Sequence, residues 1–397
     1  MSDELRRLKV LISAYAFGPS DESEANAGWR FALAAAAGHD VWVVTRRRFR
    51  DGIEAALAAD AELAARVHVQ YVELSDRALR LKRRPMDVYW YYILWQREVA
   101  RVARRLHGEV GFDVVHHVTF GVDWLPCGVR RLPVPLVWGP VGGATYMPFR
   151  LSRWVGPRSA LVEVFRWMLT RGLRRVWGDR TARRSAIVVA QNPDVARRFR
   201  YARRVVTETS LAVEDVPAPT RPANPDPGRR KRAVFVGRIV GWKGPRLAVA
   251  ALAEPDAADW TLEFYGSGRD EPAVRALVDK LGLNNRVTFH GHQPRAAVLK
   301  VFAEADAMLF PSMHDSAPWA AGEASATGCP VVCLALGGPP LVAGPNAIPV
   351  PVRRTVVKDL AAALATAGQH RGEPYLRWTE ERLPALLADW YADAASR

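Results

Sequence analysis

The chain has 397 residues, with 49% hydrophobic and 24% charged side chains. That balance is globular and long enough for two domains, and it excludes a collagen-like or wholly disordered class. A net charge of +15, carried mainly by arginine, points to anionic partners such as phosphorylated small molecules, nucleic acid or an acidic membrane surface, or else to solvated Arg-rich faces.

The N-terminal "VLISAYA" (Val10–Ala16) reads as a first strand rather than a leader, and no uncharged apolar run is long enough to span a bilayer. Three cysteines, Cys127, Cys329 and Cys333, lack zinc-ligand spacing and read as buried thiols of a cytoplasmic protein. A helix ending at Gly38 follows the first strand. Strand-like runs then recur at Val41–Thr45, Val67–Leu74, Asp113–Val118, Val134–Gly139 and Ala186–Gln191. Apolar strands separated by helices predict a parallel sheet covered on both faces.

The pattern breaks at Glu214–Arg232, where proline, glycine and charge replace periodicity, as expected of a linker. A second strand series follows at Ala233–Gly237, Thr261–Gly268, Arg286–Gly291, Ala307–Ser312 and Pro330–Leu336. The expectation is an α/β chain of two doubly wound, Rossmann-like domains facing across a ligand-binding cleft. The boundaries read 1–213 for the first domain, 214–232 for the linker and 233–375 for the second domain. An amphipathic C-terminal helix at 376–397 closes the interface.

One stretch stands apart. Residues 149–184 interleave arginine with Trp, Phe, Leu and Val at helical spacing. The preferred reading is a helix of the first domain whose apolar stripe joins the core while its arginines snorkel. The alternative is an interfacial helix making peripheral contact with an anionic membrane.

Two motifs carry chemistry. "GRIVGWKG" (Gly237–Gly244) follows a strand and sets Arg238 and Lys243 beside glycines, a competent diphosphate clamp though not a P-loop. "HDSAPWAAGEASATGCPVV" (His314–Val332) places Asp315 eight residues before Glu323. Ser316 and Pro318 start a helix there, and free amides at its first turn favour an anionic or hydroxyl-rich ligand. Ionised carboxylates so placed suit paired sugar hydroxyls.

Together, "GRIVGWKG", the spaced acids and "GCPVV", with "FYGSG", "VTFHG" and "LFPS" between them, resemble the carboxyl-domain signature of the family 4 glycosyltransferases, retaining enzymes of the GT-B fold. The resemblance implies that the C-terminal helix crosses back to the first domain. It implies Arg238 and Lys243 on the donor diphosphate, Glu323 on the ribose hydroxyls and Asp315 on the transferred sugar, where the family usually has Glu. Gly237, Gly266, His290, Ala317 and Trp319 complete the donor set, with "SAPW" in place of the family's Gly-Phe-Gly-Leu.

In the first domain "DVVHHV" resembles the strand whose terminal histidine faces the transferred sugar. His116 and His117 are adjacent, so only one points to a given face, and His117 is preferred. Gly18, Glu24 and the nearby Asp21 occupy the family's acceptor loop, and Gly142–Gly143 belongs to a loop lining the cleft.

The implied function is retaining transfer of a hexosyl group from a nucleotide-diphosphate sugar to an acceptor hydroxyl, in glycan, glycolipid or glycosylated natural-product biosynthesis. No cofactor and no metal are expected, since no Asp-x-Asp motif is present. The alternatives are a GT-B epimerase or phosphorylase, or a basic membrane-surface or nucleic-acid-binding protein. Nucleic acid is disfavoured because no helix-turn-helix, RNA-binding sheet motif or zinc finger is recognisable.

Overall fold

The computed structural model describes residues 6–20, 23–84, 86–214, 216–218, 228–369 and 372–396. The chain forms two compact units. The first comprises Met1–Ala144, Leu169–Ala212 and Glu380–Arg397, and the second Thr145–Met168 and Val213–Thr379. Residues 145–168 therefore pack with the second unit, although they precede the predicted linker. Residue 215 and residues 219–227 of that linker lie outside the described residues, as does Asp21.

The first unit holds seven strands: β1 (Lys9–Ala14), β2 (Asp40–Thr45), β3 (Val67–Tyr71), β4 (Val114–Thr119), β5 (Leu136–Val141), β6 (Ile187–Ala190) and β7 (Val205–Thr207). Their order is β3-β2-β1-β4-β5-β6-β7, and every pairing is parallel. Side chains of β4 and β5 are buried throughout, as in a parallel sheet covered on both faces. Helices α1 (Ser23–Ala36) and α2 (Asp87–Val110) belong to this unit. Tyr91, Tyr92 and Trp95 of α2 are fully buried in its core.

The second unit includes most of helix α3 (Pro157–Leu173), whose residues from Leu169 on belong to the first unit. Its sheet comprises β8 (Lys231–Val236), β9 (Trp260–Tyr265), β10 (Val287–Gly291), β11 (Ala307–Phe310), β12 (Val331–Leu334) and β13 (Ala347–Val350). The order is β10-β9-β8-β11-β12-β13, again all parallel. Helices α4 (Pro245–Leu252), α5 (Arg295–Glu304) and α6 (Trp319–Ala326) connect these strands. The core gathers Phe235, Leu247, Trp260, Phe264, Leu309, Val332, Leu360 and Leu364.

The last helix, α7 (Leu383–Ala395), belongs to the first unit. Its Tyr391 is fully buried and its hydroxyl lies 2.8 Å from His116 Nδ1. Arg204 after β6 pairs with Asp393 at 2.6 Å. Cys127, Cys329 and Cys333 are buried and form no disulfide, and burial pushes the Cys127 and Cys333 thiols up to about 12.

Candidate functional site

In each sheet the strand order reverses direction once, between β1 and β4 in the first unit and between β8 and β11 in the second. At such a switch point the loops leaving the two central strands diverge to opposite faces and leave a crevice at the carboxyl ends. Both sequence motifs fall at the switch point of the second unit.

Gly237 ends β8 with φ of +141°, and a side chain there would meet nothing within 4 Å. Open space over a bared backbone lets a ligand approach closely. Gly266, at the end of β9, has φ of +133°, and a Cβ would fall 2.2 Å from the Gly237 carbonyl oxygen. Only glycine lets the two strand ends abut in this way.

Beyond Gly237 the chain turns through Gly241–Lys243 and enters α4 behind Gly244. The Gly241 amide donates to Asp270 at 2.5 Å, fixing the turn. Arg238 is exposed, its guanidinium 5.6 Å from the Trp242 ring centroid. Lys243 is nearly buried, with Nζ 4.7 Å from the Trp242 centroid and 5.0 Å from that of Phe310. An ammonium among rings is poorly solvated and needs a countercharge.

Asp315 supplies it. The loop after β11 brings its Oδ2 to 2.7 Å from Lys243 Nζ, and the Ser312 hydroxyl donates to the same oxygen at 2.6 Å. Asp315 is held from behind by its own backbone, because its carbonyl accepts from the Gly338 amide at 2.9 Å. A Cβ at Gly338 would lie 1.8 Å from the Ser316 oxygen, and one at Gly337 2.4 Å from the Asp315 oxygen. Two adjacent glycines thus let the segment after β12 pack flat against "DSAPW".

Helix α6 starts after Pro318, as the sequence leads one to expect. Ala317 and Trp319 are half-buried at its entrance. Glu323 is buried in the second turn, and its Oε1 accepts from Arg295 Nε at 2.7 Å. Arg295 opens α5 and also donates to the Glu214 carbonyl at 3.2 Å. The structure therefore brings Gly237, Lys243 and Asp315 to the β8/β11 junction and seats Glu323 on the helix that follows.

His290 lies elsewhere in the sheet. It is on β10, two strands from β8 on the side away from β11, stacked on Tyr265 at 4.5 Å and 3.2 Å from Glu263. Its neighbours are those of a strand-end ion-pair network with Arg232.

At the switch point of the first unit, the Ala16 amide donates to Thr119 Oγ1 at 3.1 Å, and Thr119 Oγ1 donates to the Ala16 oxygen at 2.9 Å, joining the ends of β1 and β4. Gly18 has φ of +148°. Glu24, exposed in the first turn of α1, accepts from the Phe120 amide at 2.6 Å. Phe120 itself has φ of +57°, a conformation rare for an aromatic residue. Gly142 donates to the Gly121 oxygen at 2.8 Å, and Gly143 has φ of +98° with its Cβ position 2.6 Å from Asp123 Oδ1. Fully buried Asp123 pairs with Arg174 at 2.8 Å, and Arg174 donates to the Gly143 oxygen at 2.9 Å.

His116 and His117 point to opposite faces of β4, and both are buried. His116 lies 2.8 Å from the Tyr391 hydroxyl and 2.8 Å from the Gly139 oxygen. His117 lies 3.1 Å from the Tyr92 hydroxyl and 3.1 Å from Ser13 Oγ. Burial drives both imidazoles down, to about 4 for His116 and about 3 for His117, where the neighbouring ring adds to the effect. Both nitrogens of both rings are occupied within the first unit. The structure thus does not present His117 to a ligand at the strand end, because α2 covers that face with Tyr92.

Sequence reasoning missed Arg295, His314 and Glu163. His314 precedes Asp315 and stacks on Trp242, ring centroids 4.4 Å apart. Its Nε2 lies 3.4 Å from Glu163 of α3. Burial works to raise the Glu163 carboxyl, but hydrogen bonds from His314 and Arg166 outweigh it and hold it below the usual range. Among the described residues no group of three His, Cys, Asp or Glu side chains gathers as a metal site.

A model of the family "Glycosyl transferases group 1" matches residues 218–381, the stretch that contains Gly237, Lys243, Asp315 and Glu323. A D-inositol 3-phosphate glycosyltransferase of Segniliparus rotundus is 38% identical over 113 residues, 27% of this chain and 25% of that protein. The aligned stretch thus spans a quarter of that relative's length. The 2-deoxystreptamine N-acetyl-D-glucosaminyltransferase of Streptomyces fradiae is 29% identical over 301 residues, 72% of this chain and 69% of that one.

Among solved structures, the sucrose-phosphate synthase of Thermosynechococcus elongatus superposes with a TM-score of 0.59 at 16% identity, covering 98% of this chain and 100% of that one. The Anabaena protein Alr3699/HepE, solved in complex with UDP, gives 0.55 at 15% identity, covering 97% and 99%. These structures share the fold: two Rossmann-like units of the GT-B type. The stretch 218–381, seated around the β8/β11 switch point, is thus similar to the group 1 glycosyl transferases.

Proposed function

We propose that the protein is a retaining hexosyltransferase that takes its sugar from a nucleoside-diphosphate donor and delivers it to an acceptor hydroxyl. The observation that carries this reading is the Lys243–Asp315 pair at 2.7 Å beside the open backbone of Gly237. A cation and a carboxylate, each limited in exposure and held by its own loop, form a site with one group for phosphate oxygens and one for sugar hydroxyls.

In this reading Lys243 and Arg238 bind the diphosphate, and Asp315 accepts from hydroxyls of the transferred sugar. Glu323, oriented by Arg295, accepts from the ribose hydroxyls. The bond from the anomeric carbon to the β-phosphate oxygen breaks as the bond to the acceptor oxygen forms on the same face. Negative charge grows on the leaving diphosphate, where Lys243 and Arg238 stabilise it without a metal ion. The acceptor proton passes to an oxygen of that diphosphate. Gly18, Gly142 and Gly143, in loops at the switch point of the first unit, and Glu24, in the first turn of α1, are assigned to the acceptor. His116 and His117 are assigned to packing inside that unit. The reading places the protein in the cytoplasm, where its three thiols stay reduced.

The relatives support sugar transfer as the reaction class, and the UDP held by the Anabaena protein of the same fold makes uridine the first base to try. The test is incubation with a panel of nucleoside-diphosphate sugars and NMR of the released or transferred sugar. Nucleoside diphosphate released with the anomeric configuration kept supports the reading. A C-epimerised donor, an inverted product, or indifference to every donor overturns it.

A further inference from the structure

Helix α3 is amphipathic the wrong way round. Its polar residues Ser159, Glu163 and Thr170 form a stripe at i, i+4 and i+11 that faces inward: Ser159 and Thr170 are buried and Glu163 is nearly so. Ser159 accepts from Arg269 at 3.2 Å, and Glu163 meets His314 at 3.4 Å and Arg166 at 2.6 Å. The outward face carries Leu161 at 71% exposure, Phe165 at 59% and Met168 at 57%, with Val162, Val164 and Trp167 also exposed. A helix on a water-soluble surface does the opposite, burying its apolar stripe and solvating its polar one. The preferred sequence reading, an apolar stripe joined to the core, is therefore corrected: the stripe turns outward because the polar side is taken up by Arg269 and His314.

Bulky apolar side chains exposed at i, i+4 and i+7 of one helix mark a contact surface, and the charge around them selects the partner. Residues 145–168 contain four arginines and one acid, Glu163, and that acid is the one turned inward against His314. Exposed Arg150 and Arg153 and the exposed Phe149 lie just before the helix. Within residues 145–168, exposed bulky apolar side chains and exposed arginines thus occur together, and the one acid is turned inward. Among the described residues no helix is long and apolar enough to cross a membrane, so the face suits lying in an interface rather than spanning it.

We infer that α3 docks the protein on an anionic lipid surface, with Leu161, Phe165 and Met168 entering the acyl boundary and Arg150 and Arg153 meeting headgroup phosphates. The inner face of the same helix touches His314, next to Asp315, so docking and the switch-point loop share one rigid element. The docking itself does not depend on the sugar-transfer reading.

The experiment is flotation of the full chain with vesicles of phosphatidylcholine alone and of phosphatidylcholine mixed with phosphatidylglycerol. The account expects flotation with the mixed vesicles only, weakened by high salt. The triple variant Leu161→Ser, Phe165→Ser, Met168→Ser should lose flotation by about tenfold or more while its melting temperature stays that of the parent, since the replaced side chains are exposed. Absence from both vesicle fractions overturns the inference, as does a triple variant that floats like the parent. Light scattering without lipid closes the other route: a dimer that the triple variant converts to monomer assigns the face to a second copy and overturns docking.

Discussion

Lys243 on the loop after β8 and Asp315 on the loop after β11 lie 2.7 Å apart, although 72 residues separate them in the chain. Parallel pairing of β8 with β11 brings the two loops together, and their carboxyl-end position makes the pair face the switch-point crevice. Replacing Lys243 by Ala should reduce turnover by about a hundredfold or more, the scale of removing one group aimed at developing charge. The melting temperature should fall too, because Asp315 loses its countercharge, so turnover is compared at a temperature where the variant is folded. Near-parent turnover measured with a working donor would remove Lys243 from the mechanism.

Glu323 is buried and accepts from Arg295. Glu323→Gln keeps the shape but drops the charge, so each hydrogen bond the carboxylate accepts weakens by about 1–1.5 kcal/mol. Nucleotide affinity, measured calorimetrically with the free nucleoside diphosphate, should fall by about tenfold or more. Arg295→Ala should give a smaller loss, because the carboxylate remains but is no longer oriented. Equal affinity in all three proteins would place the ribose elsewhere.

Gly338→Ala is a test of the loop rather than of any side chain. Its Cβ would fall 1.8 Å from the Ser316 oxygen, so either the "DSAPW" loop or the segment after β12 must shift. Overpacking of this kind costs about 1–3 kcal/mol. The expected outcome is a lowered melting temperature together with a loss of donor affinity that persists at temperatures where the variant is folded, read by melting and by titration in parallel.

Much of this architecture is legible in the sequence, because β1, β8 and β11 carry apolar cores, Val10–Ile12, Ala233–Val236 and Ala307–Phe310, that read as strands of a doubly covered sheet. The edge strands β7 and β13 are not. β7 is three residues long, and β13 carries Pro349, which is admissible only at an edge. The site divides the same way. Lys243, Asp315 and Glu323 stand out by type and spacing, but their partners Ser312, Arg295 and Gly338 depend on which loops the strand order juxtaposes. The alternation rule separates His116 from His117 but gives no hint that α2 and α7 would cover both faces. Helix α3 is the sharpest case: periodicity shows two faces, and only the positions of Arg269 and His314 decide which one turns inward.

The two histidines of β4 make a pH prediction. Their folded-state values, about 4 and about 3, lie below the ordinary histidine value. The unfolded chain therefore binds protons first as pH falls, so their contribution to stability is complete above about pH 6.5 and is lost progressively toward pH 4. Thermal melts between pH 7 and 5 should show stability declining with acid, and ring nitrogen NMR should show both imidazoles neutral at pH 5. A charged imidazole at that pH would contradict the buried, doubly hydrogen-bonded placement.

Arg382, just before α7, bonds Glu208 at 3.2 Å and the Leu211 oxygen at 2.7 Å, and both charged side chains are largely withdrawn from water. Arg382→Ala removes one partner of a buried pair and should cost about 3–5 kcal/mol in denaturant unfolding of the first unit. A loss near zero would mean that α7 is held by its apolar residues Leu387, Trp390 and Tyr391 alone.

The most direct test of the central claim is calorimetric titration of nucleoside diphosphates into the parent and into Lys243→Ala. The account predicts that at least one diphosphate binds the parent and that the variant, still folded, binds it at least about tenfold more weakly. Parent and variant that bind every diphosphate equally, or not at all, would contradict a donor site at the β8/β11 switch point.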